Sequence, residues 1–355
     1  MFRPHALHQS CRASYTYAGC LVAAAAVLTS ATGCSARYVR AASPPSAQHL
    51  PPTSVSRHVV VVSIDGLRPD AVETYGAQTL QRLMREGSYT LAGRTIDPSK
   101  TLPSHTSMLT GQPPARHGVL WNNVATAKAD SIDVPNVFGL ARAQGYTTAA
   151  FFSKAKFQPL QVDGTLDYSQ APGGLFGRWS SARTVSDVAA YLAGAQPNLL
   201  FVHLTDPDAA GHRAGWMTAD YGRGVLEADR AVSQLIALAD RAFGAGNYSL
   251  IVTADHGGHD TNHGSADPRD VTIPWIAWGR GVKPGLLADP TIRTMDTAAT
   301  ILWLLAVDRP LDWAGQPVLD AFAADAVAKK GVPPDPAATD AVATDSATKD
   351  SVAGG

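Results

Sequence analysis

The chain has 355 residues, 45% hydrophobic and 17% charged, a balance that supports a buried core and excludes a wholly disordered protein. With 29 Lys and Arg against 30 Asp and Glu, it has no basic excess to drive nucleic-acid binding through phosphate neutralisation. Its three cysteines, Cys11, Cys20 and Cys34, all lie in the first tenth, which excludes a disulfide-stapled fold and any Cys-ligated metal site in the body.

In chain order, residues 1–33 read as a signal peptide. Arg3 and Arg12 precede an apolar run of eleven residues from Ala18 to Leu28, too short to span a bilayer. Ala31-Thr32-Gly33 before Cys34 resembles a bacterial lipoprotein signal, in which the cysteine is lipidated and begins the mature chain. Leu is commoner at the position of Ala31, and ordinary secretion with Cys34 incidental is the alternative. The expectation is an exported protein, periplasmic or anchored at the outer membrane, touching lipid only through Cys34. Residues 34–56 carry Pro44-Pro45 and Pro51-Pro52 among Ala and Ser and read as a flexible linker. Residues 57–323 form the folded body. From Ala324 onward no aromatic, Leu or Ile occurs, so residues 324–355 read as a disordered tail.

Within the body, β-branched and apolar runs predict buried strands at 58–64, 147–152, 199–204, 249–253 and 273–278. Helices are predicted over 79–86, 134–144, 186–195, 226–243 and 295–305. In the fourth, Val225, Leu226, Val232, Leu235, Ile236 and Ala239 make one stripe at helical period. Continuous apolar strands alternating with amphipathic helices predict an α/β fold with a mostly parallel sheet covered on both faces. Trp275, Trp278 and Trp303 read as core.

Three of these strands run into Asp-bearing turns. They are Ile64-Asp65-Gly66, then Thr205-Asp206-Pro207-Asp208 with His212, then Asp255-His256-Gly257-Gly258 with His259 and His263. Ligands in open α/β sheets bind beyond the carboxyl ends of strands, so the three ends can share one rim. A single Asp after a strand is an ordinary turn or cap residue; His within a few residues of two of them is harder to dismiss. Carboxylate and imidazole without thiolate suit zinc in an open catalytic site. Pro103 and Gly111 suit the first turn and the end of a further helix, placing Thr101 just before an N-terminus where backbone N–H groups favour an anion. A threonine hydroxyl is a poor nucleophile until a metal stabilises its alkoxide.

Asp65-Gly66, Thr101 with Pro103 and His105, Thr110-Gly111, His117-Gly118, Asn122, Pro207-Asp208 with Gly211-His212, Asp255-His256-Gly257 and His263-Gly264 occur in that order. Together they resemble the type I phosphodiesterase/nucleotide pyrophosphatase branch of the alkaline phosphatase superfamily. The resemblance implies an alkaline-phosphatase-like α/β fold, here compact and without a large cap. It implies a zinc-dependent phosphoric ester hydrolase acting on a small phosphorylated substrate through a phosphothreonine on Thr101. Two zinc ions per chain are implied, one held by Asp208, His212 and His263, the other by Asp65, Asp255 and His256 and also bound by Thr101. Asn122 would donate to a non-bridging phosphate oxygen.

Only seven residues separate His256 from His263, where many relatives carry a long insertion. His259 is therefore an alternative to His263. Lys154 and Lys156 follow a predicted strand and are read as substrate-binding, as basic residues are in relatives acting on monoesters or phosphonoacetate. Lys100 reads as a surface residue, His105 and His117 as structural, and Asp206 as a cap. A sulfatase would need Cys or Ser at position 101 with Arg at 105, and a mutase of the superfamily would need a large inserted domain. A phosphonate hydrolase, or a non-catalytic surface-binding lipoprotein, are the other readings. Preference among monoester, diester and phosphonate, and the oligomeric state, are not determined at this level.

Overall fold

The computed structural model describes residues 37–40, 54–123, 132, 134–174, 177–287 and 292–328. Residues 1–33, read above as a signal peptide, and Cys34 lie outside the described residues. Among those described, nine strands form one sheet: β1 (Arg37–Arg40), β2 (Val59–Ile64), β3 (Ser88–Arg94), β4 (Thr148–Phe151), β5 (Tyr168–Ala171), β6 (Leu199–Leu204), β7 (Ser249–Thr253), β8 (Thr272–Gly279) and β9 (Gly285–Leu286). The helices are α1 (Pro69–Thr74), α2 (Gln78–Glu86), α3 (Thr101–Thr110), α4 (Pro114–His117), α5 (Val137–Ala143), α6 (Ser181–Leu192), α7 (Asp206–Ala214), α8 (Ala219–Phe243), α9 (Pro268–Val271), α10 (Asp296–Leu304) and α11 (Ala324–Ala328).

The order across the sheet is β1-β5-β4-β6-β2-β7-β8-β3-β9. The five strands from β5 to β7 are mutually parallel, while β8 runs antiparallel between β7 and β3. β2 shows why its sequence is uniformly apolar. Val59 and Val61 pack with Leu102, Phe138 and Ile301 of α3, α5 and α10, while Val60, Val62 and Ile64 pack with Leu80, Val188 and Val232 of α2, α6 and α8. A strand covered by helices on both faces has no polar face to show, so the alternation of a half-exposed strand disappears.

The five predicted strands and five predicted helices all form, with shifted boundaries. α6 starts at Ser181 because the Ser180 side chain caps Arg183 N, and α8 starts at Ala219 because the Thr218 side chain caps Tyr221 N. Both starts precede the apolar stripes that mark these helices in sequence. α3 begins at Thr101 itself, two residues before Pro103. β3, β5, β9 and β1 have no clear apolar signature and find their places through backbone pairing. The linker and tail boundaries need correction. Arg37–Arg40 pairs antiparallel with the edge strand β5, since extended backbone of any composition can complete an open sheet edge. Val55 and Ser56 are buried, and their N–H groups donate to the Leu304 carbonyl. At the other end Ala324–Ala328 is helical with Ala326 buried, because alanine combines the strongest helix propensity with a side chain small enough to pack close. Trp278 is also corrected: it is only partly buried, with its N–H donated to Glu86 and the Arg82 guanidinium over its ring. No helix among the described residues is long and apolar enough to cross a membrane.

Gly224 of α8 lets the backbone at the start of α7 approach closely; a Cβ there would stand 2.7 Å from the Asp206 carbonyl oxygen. Gly224→Ala sets two effects against each other. Helix propensity favours it by about 1 kcal/mol, while overpacking against fixed backbone costs about 1–3 kcal/mol. The expected result is net destabilisation, read as a lower urea midpoint; a raised midpoint would show that α7 shifts freely.

Candidate active site

The ends of adjacent parallel strands are stitched together. After β2 the chain turns at Gly66, whose φ of +72° and 3.0 Å approach of a would-be Cβ to Asp208 exclude other residues without strain. The turn lets Asp208 N–H donate to the Asp65 carbonyl at 3.0 Å and Gly66 N–H donate to Asp255 Oδ1 at 3.1 Å. Trp216 and Tyr221 both donate to the Gly66 carbonyl at 2.9 Å. Asp65, Asp208 and Asp255, from the ends of β2, β6 and β7, are thus brought into one buried cluster.

Three histidines meet these carboxylates in a common orientation. His256 Nδ1 donates to the Gly257 carbonyl at 2.8 Å, His263 Nδ1 to that of Ser99 at 2.8 Å, and His212 Nδ1 to that of Thr261 at 2.9 Å. Because a carbonyl only accepts, each Nδ1 carries a proton and each Nε2 is left to act as a ligand. His256 Nε2 stands 3.3 Å from Asp65 Oδ1 and 3.3 Å from Asp255 Oδ2. His212 and His263 Nε2 stand 3.3 and 3.6 Å from Asp208 Oδ1. Those three carboxylate oxygens are buried without a hydrogen-bond partner. Such orphaned atoms are costly unless a cation meets them, and their oxygen and nitrogen chemistry fits a divalent metal. Among the described residues, two groups have the spacing to hold one: Asp65, Asp255 and His256, and Asp208, His256 and His263. His256 therefore reaches both, and its ring stacks on that of His263 at 3.6 Å between centroids. His212 is half-exposed at the edge of the second group.

The electrostatics show how strongly this cluster of carboxylates draws positive charge. Burial and the Asp65 charge push Asp255 up to about 7. Burial depresses His256, but the Asp255 and Asp65 carboxylates overcome it and leave it raised to about 9. Burial and the neighbouring His256 bring His263 down to about 3, a neutral imidazole at physiological pH. Three buried carboxylates face one buried ammonium, Lys154, whose Nζ is 2.5 Å from both Asp65 Oδ2 and Asp208 Oδ2. Burial works against its charge, yet these partners raise Lys154 above its ordinary value. Lys154, expected at the substrate, is thus placed between the carboxylates. Lys156 is partly buried nearby; its charge is disfavoured by burial and by Lys154 and favoured by the same three aspartates.

Thr101 is wholly buried, with Oγ1 3.3 Å from His256 Nε2. Asn122 Oδ1 accepts the Leu102 N–H at 2.9 Å, which assigns the Asn122 Nδ2 group as the donor side of the amide. In the first turn of α3, Leu102 N–H is thereby taken, Pro103 has none, and Ser104 N–H donates to the Lys100 carbonyl. Among the described residues, Thr101 N–H and Asn122 Nδ2 are the donors of this turn left for an anion, fewer than a bare helix N-terminus supplies.

Two further histidines act from behind. His203 Nε2 donates to Asp65 Oδ2 at 2.9 Å and its Nδ1 accepts from Ser153 at 2.6 Å. Sequence reasoning passed it over because it sits inside the apolar run of β6; an imidazole within a buried strand is the signal. His105 Nδ1 donates to the Thr101 carbonyl at 2.8 Å while Nε2 accepts from Ser63. His117 pairs with Ser107 and Val119, and Asp206 accepts Ser181 N–H at the start of α6. His259 is turned away from the metal-ligand groups, its Nδ1 donating to Asp270 at 2.7 Å.

Residues 59–272 match the family model of type I phosphodiesterase / nucleotide pyrophosphatase, and the chain belongs to that family. It is 25% identical over 227 residues to bis(5'-adenosyl)-triphosphatase enpp4 of Xenopus laevis, covering 58% of this chain and 48% of the relative. It is 28% identical over 138 residues to GPI ethanolamine phosphate transferase 1 of Candida glabrata, covering 34% and 15%. The chain thus spans half or less of the length of these relatives. Murine ectonucleotide pyrophosphatase/phosphodiesterase 5, solved with AMP, superposes with a TM-score of 0.63 at 16% identity, over 76% of this chain and 100% of that one. A 2-O GAG sulfatase superposes at 0.61 and 16% identity, over 78% and 75%. The alkaline-phosphatase-like fold is shared by all of these solved neighbours.

Lys154→Met removes the one buried ammonium from the carboxylate cluster. In chelator, stability is expected to fall by about 3–5 kcal/mol, and an added divalent cation is expected to recover most of it. A urea midpoint unchanged in chelator would remove Lys154 as the internal counter-charge.

Proposed function

We propose that this chain is a zinc-dependent phosphoric ester hydrolase that forms a phosphothreonine on Thr101. The observation that carries the reading is the convergence of three Nε2 atoms, each with its Nδ1 proton given to a backbone carbonyl, on three orphaned carboxylate oxygens beside Thr101 Oγ1. In this reading Asp65, Asp255, His256 and Thr101 hold one zinc ion and Asp208, His212 and His263 the other. When bound, two such ions lower the pKa of the Thr101 hydroxyl and stabilise the leaving oxygen. Thr101 Oγ forms a bond to phosphorus as the bond to the leaving-group oxygen breaks. Water then adds to phosphorus as the Thr101 O–P bond breaks, which restores the hydroxyl. Thr101 N–H and Asn122 Nδ2 donate to the non-bridging oxygens throughout. His105, through the Thr101 carbonyl, holds the first turn of α3 while this happens.

The family match supports a phosphoric diester as substrate. Lys156, partly buried beside the cluster with its charge disfavoured by burial and by Lys154, is read as meeting a second anionic group on the substrate, which keeps monoesters and phosphonates in the test panel. A binding protein without catalysis would have no need of Thr101 buried against His256. The same reading has the protein exported and lipid-anchored at Cys34, supported by the apolar run and small residues that precede that cysteine.

Thr101→Ala is expected to lower kcat by about a thousandfold or more, with zinc content unchanged near two per chain. Full activity in that variant would remove the mechanism. Asn122→Ala is expected to lower kcat by about 10²–10³. The test is steady-state hydrolysis of a panel of phosphate diesters, monoesters, nucleotides and phosphonates by zinc-loaded protein. Loss of turnover on every substrate in a fully loaded wild type would overturn the reading.

A further inference from the structure

The loop 257–265 follows β7 and folds back onto Asp270 of α9. Asp270 is fully buried. Its carbonyl accepts the Gly257 N–H at 2.7 Å. Its Oδ1 accepts from His259 Nδ1 at 2.7 Å, and its Oδ2 accepts both the N–H and the hydroxyl of Ser265, at 3.0 and 2.7 Å. One residue therefore pins the loop at its start, middle and end. These hydrogen bonds hold the Asp270 carboxyl below its ordinary value despite its burial.

The loop serves both groups, but the Asp270 carboxylate does not: the Gly257 carbonyl that orients His256 is fixed by main-chain bonds, Gly257 N–H to the Asp270 carbonyl and Gly258 N–H to that of Arg269. Thr261 supplies the carbonyl that orients His212 at 2.9 Å, and the loop carries His263 itself. Ser99 ties the far end: its hydroxyl donates to the Ser265 carbonyl at 2.8 Å and its carbonyl accepts from His263 Nδ1. Both imidazoles expected beside Asp208 thus hang from the Asp270-pinned segment. Asp65 is held from β6 by His203, and Asp255 accepts Gly66 N–H from the β2 turn. Neither depends on the Asp270 carboxylate.

We infer that Asp270 is a positioning residue that sets the geometry of the Asp208–His212–His263 metal site and leaves the Asp65–Asp255–His256 site unaffected. His259, in this assignment, is the donor that completes the pin. The inference rests on the two-site reading of the proposed function. Loss of a hydrogen-bonded partner behind a ligand lowers metal affinity by about 10–100-fold. A merely structural role for Asp270 would weaken both sites together or neither.

The test is calorimetric titration of zinc into chelator-stripped, full-length protein. Asp270→Asn replaces an acceptor oxygen with a donor. It is expected to leave one zinc equivalent at wild-type affinity and to weaken the other by about 10–100-fold. His259→Ala and Ser265→Ala, each removing one strand of the pin, are expected to weaken the same equivalent by less. They carry the test if Asp270→Asn does not fold. Equal weakening of both equivalents, or no change in either, overturns the inference while leaving the two-site reading intact. A wild-type chain that binds no zinc overturns both.

Discussion

Placing three carboxylates at 0–2% exposure beside one another is the constraint on which the rest of the site depends. Charges of one sign cannot be buried together without compensation. The fold answers with one ammonium from the end of β4, three imidazoles whose Nε2 atoms face the carboxylates, and geometry suited to divalent cations. Each of the four parallel strands β4, β6, β2 and β7 contributes at its carboxyl end, and their register brings the contributions level. Ser63 of β2 lies beside His203 on one side and Thr253 on the other, so the residues that follow emerge at one height.

Most side chains of the cluster are held by further hydrogen bonds. Each imidazole is fixed at Nδ1 by a backbone carbonyl before Nε2 is offered. Asp65 is held by His203, Asp255 by Gly66 N–H and by His256 N–H. Thr101 lies on a ten-residue helix whose first turn is clamped by Asn122 on one side and His105 on the other. Preorganisation of this kind lets charge be stabilised without rearrangement at the moment it develops.

Much of this was legible in the chain. The apolar runs of β2, β4, β6 and β7 are long enough to declare strands buried on both faces, and the Asp and His residues immediately after them declare where chemistry gathers. What escaped detection had weak local signals. β3 and β5 mix polar and small residues, and their places are decided by neighbours already in the sheet. His203 and Asp270 each look like an isolated polar residue, since their partners lie 138 and 11 positions away. The early starts of α6 and α8 rest on single capping side chains that precede any periodicity.

The sequence by itself determined the fold class, the strand ends where Asp and His gather and Thr101 as the residue to watch, because burial periodicity and residue chemistry are local properties. Tertiary structure decided which partners the histidines face. The choice between His259 and His263 turned on which imidazole faces Asp208 and which donates to Asp270, and a seven-residue spacing carries no information about direction. It also decided that Lys154 lies between two carboxylates, with its charge spent on the protein's own cluster. Hydrogen-bond direction and charge pairing depend on which distant segments meet, and only the folded chain specifies that.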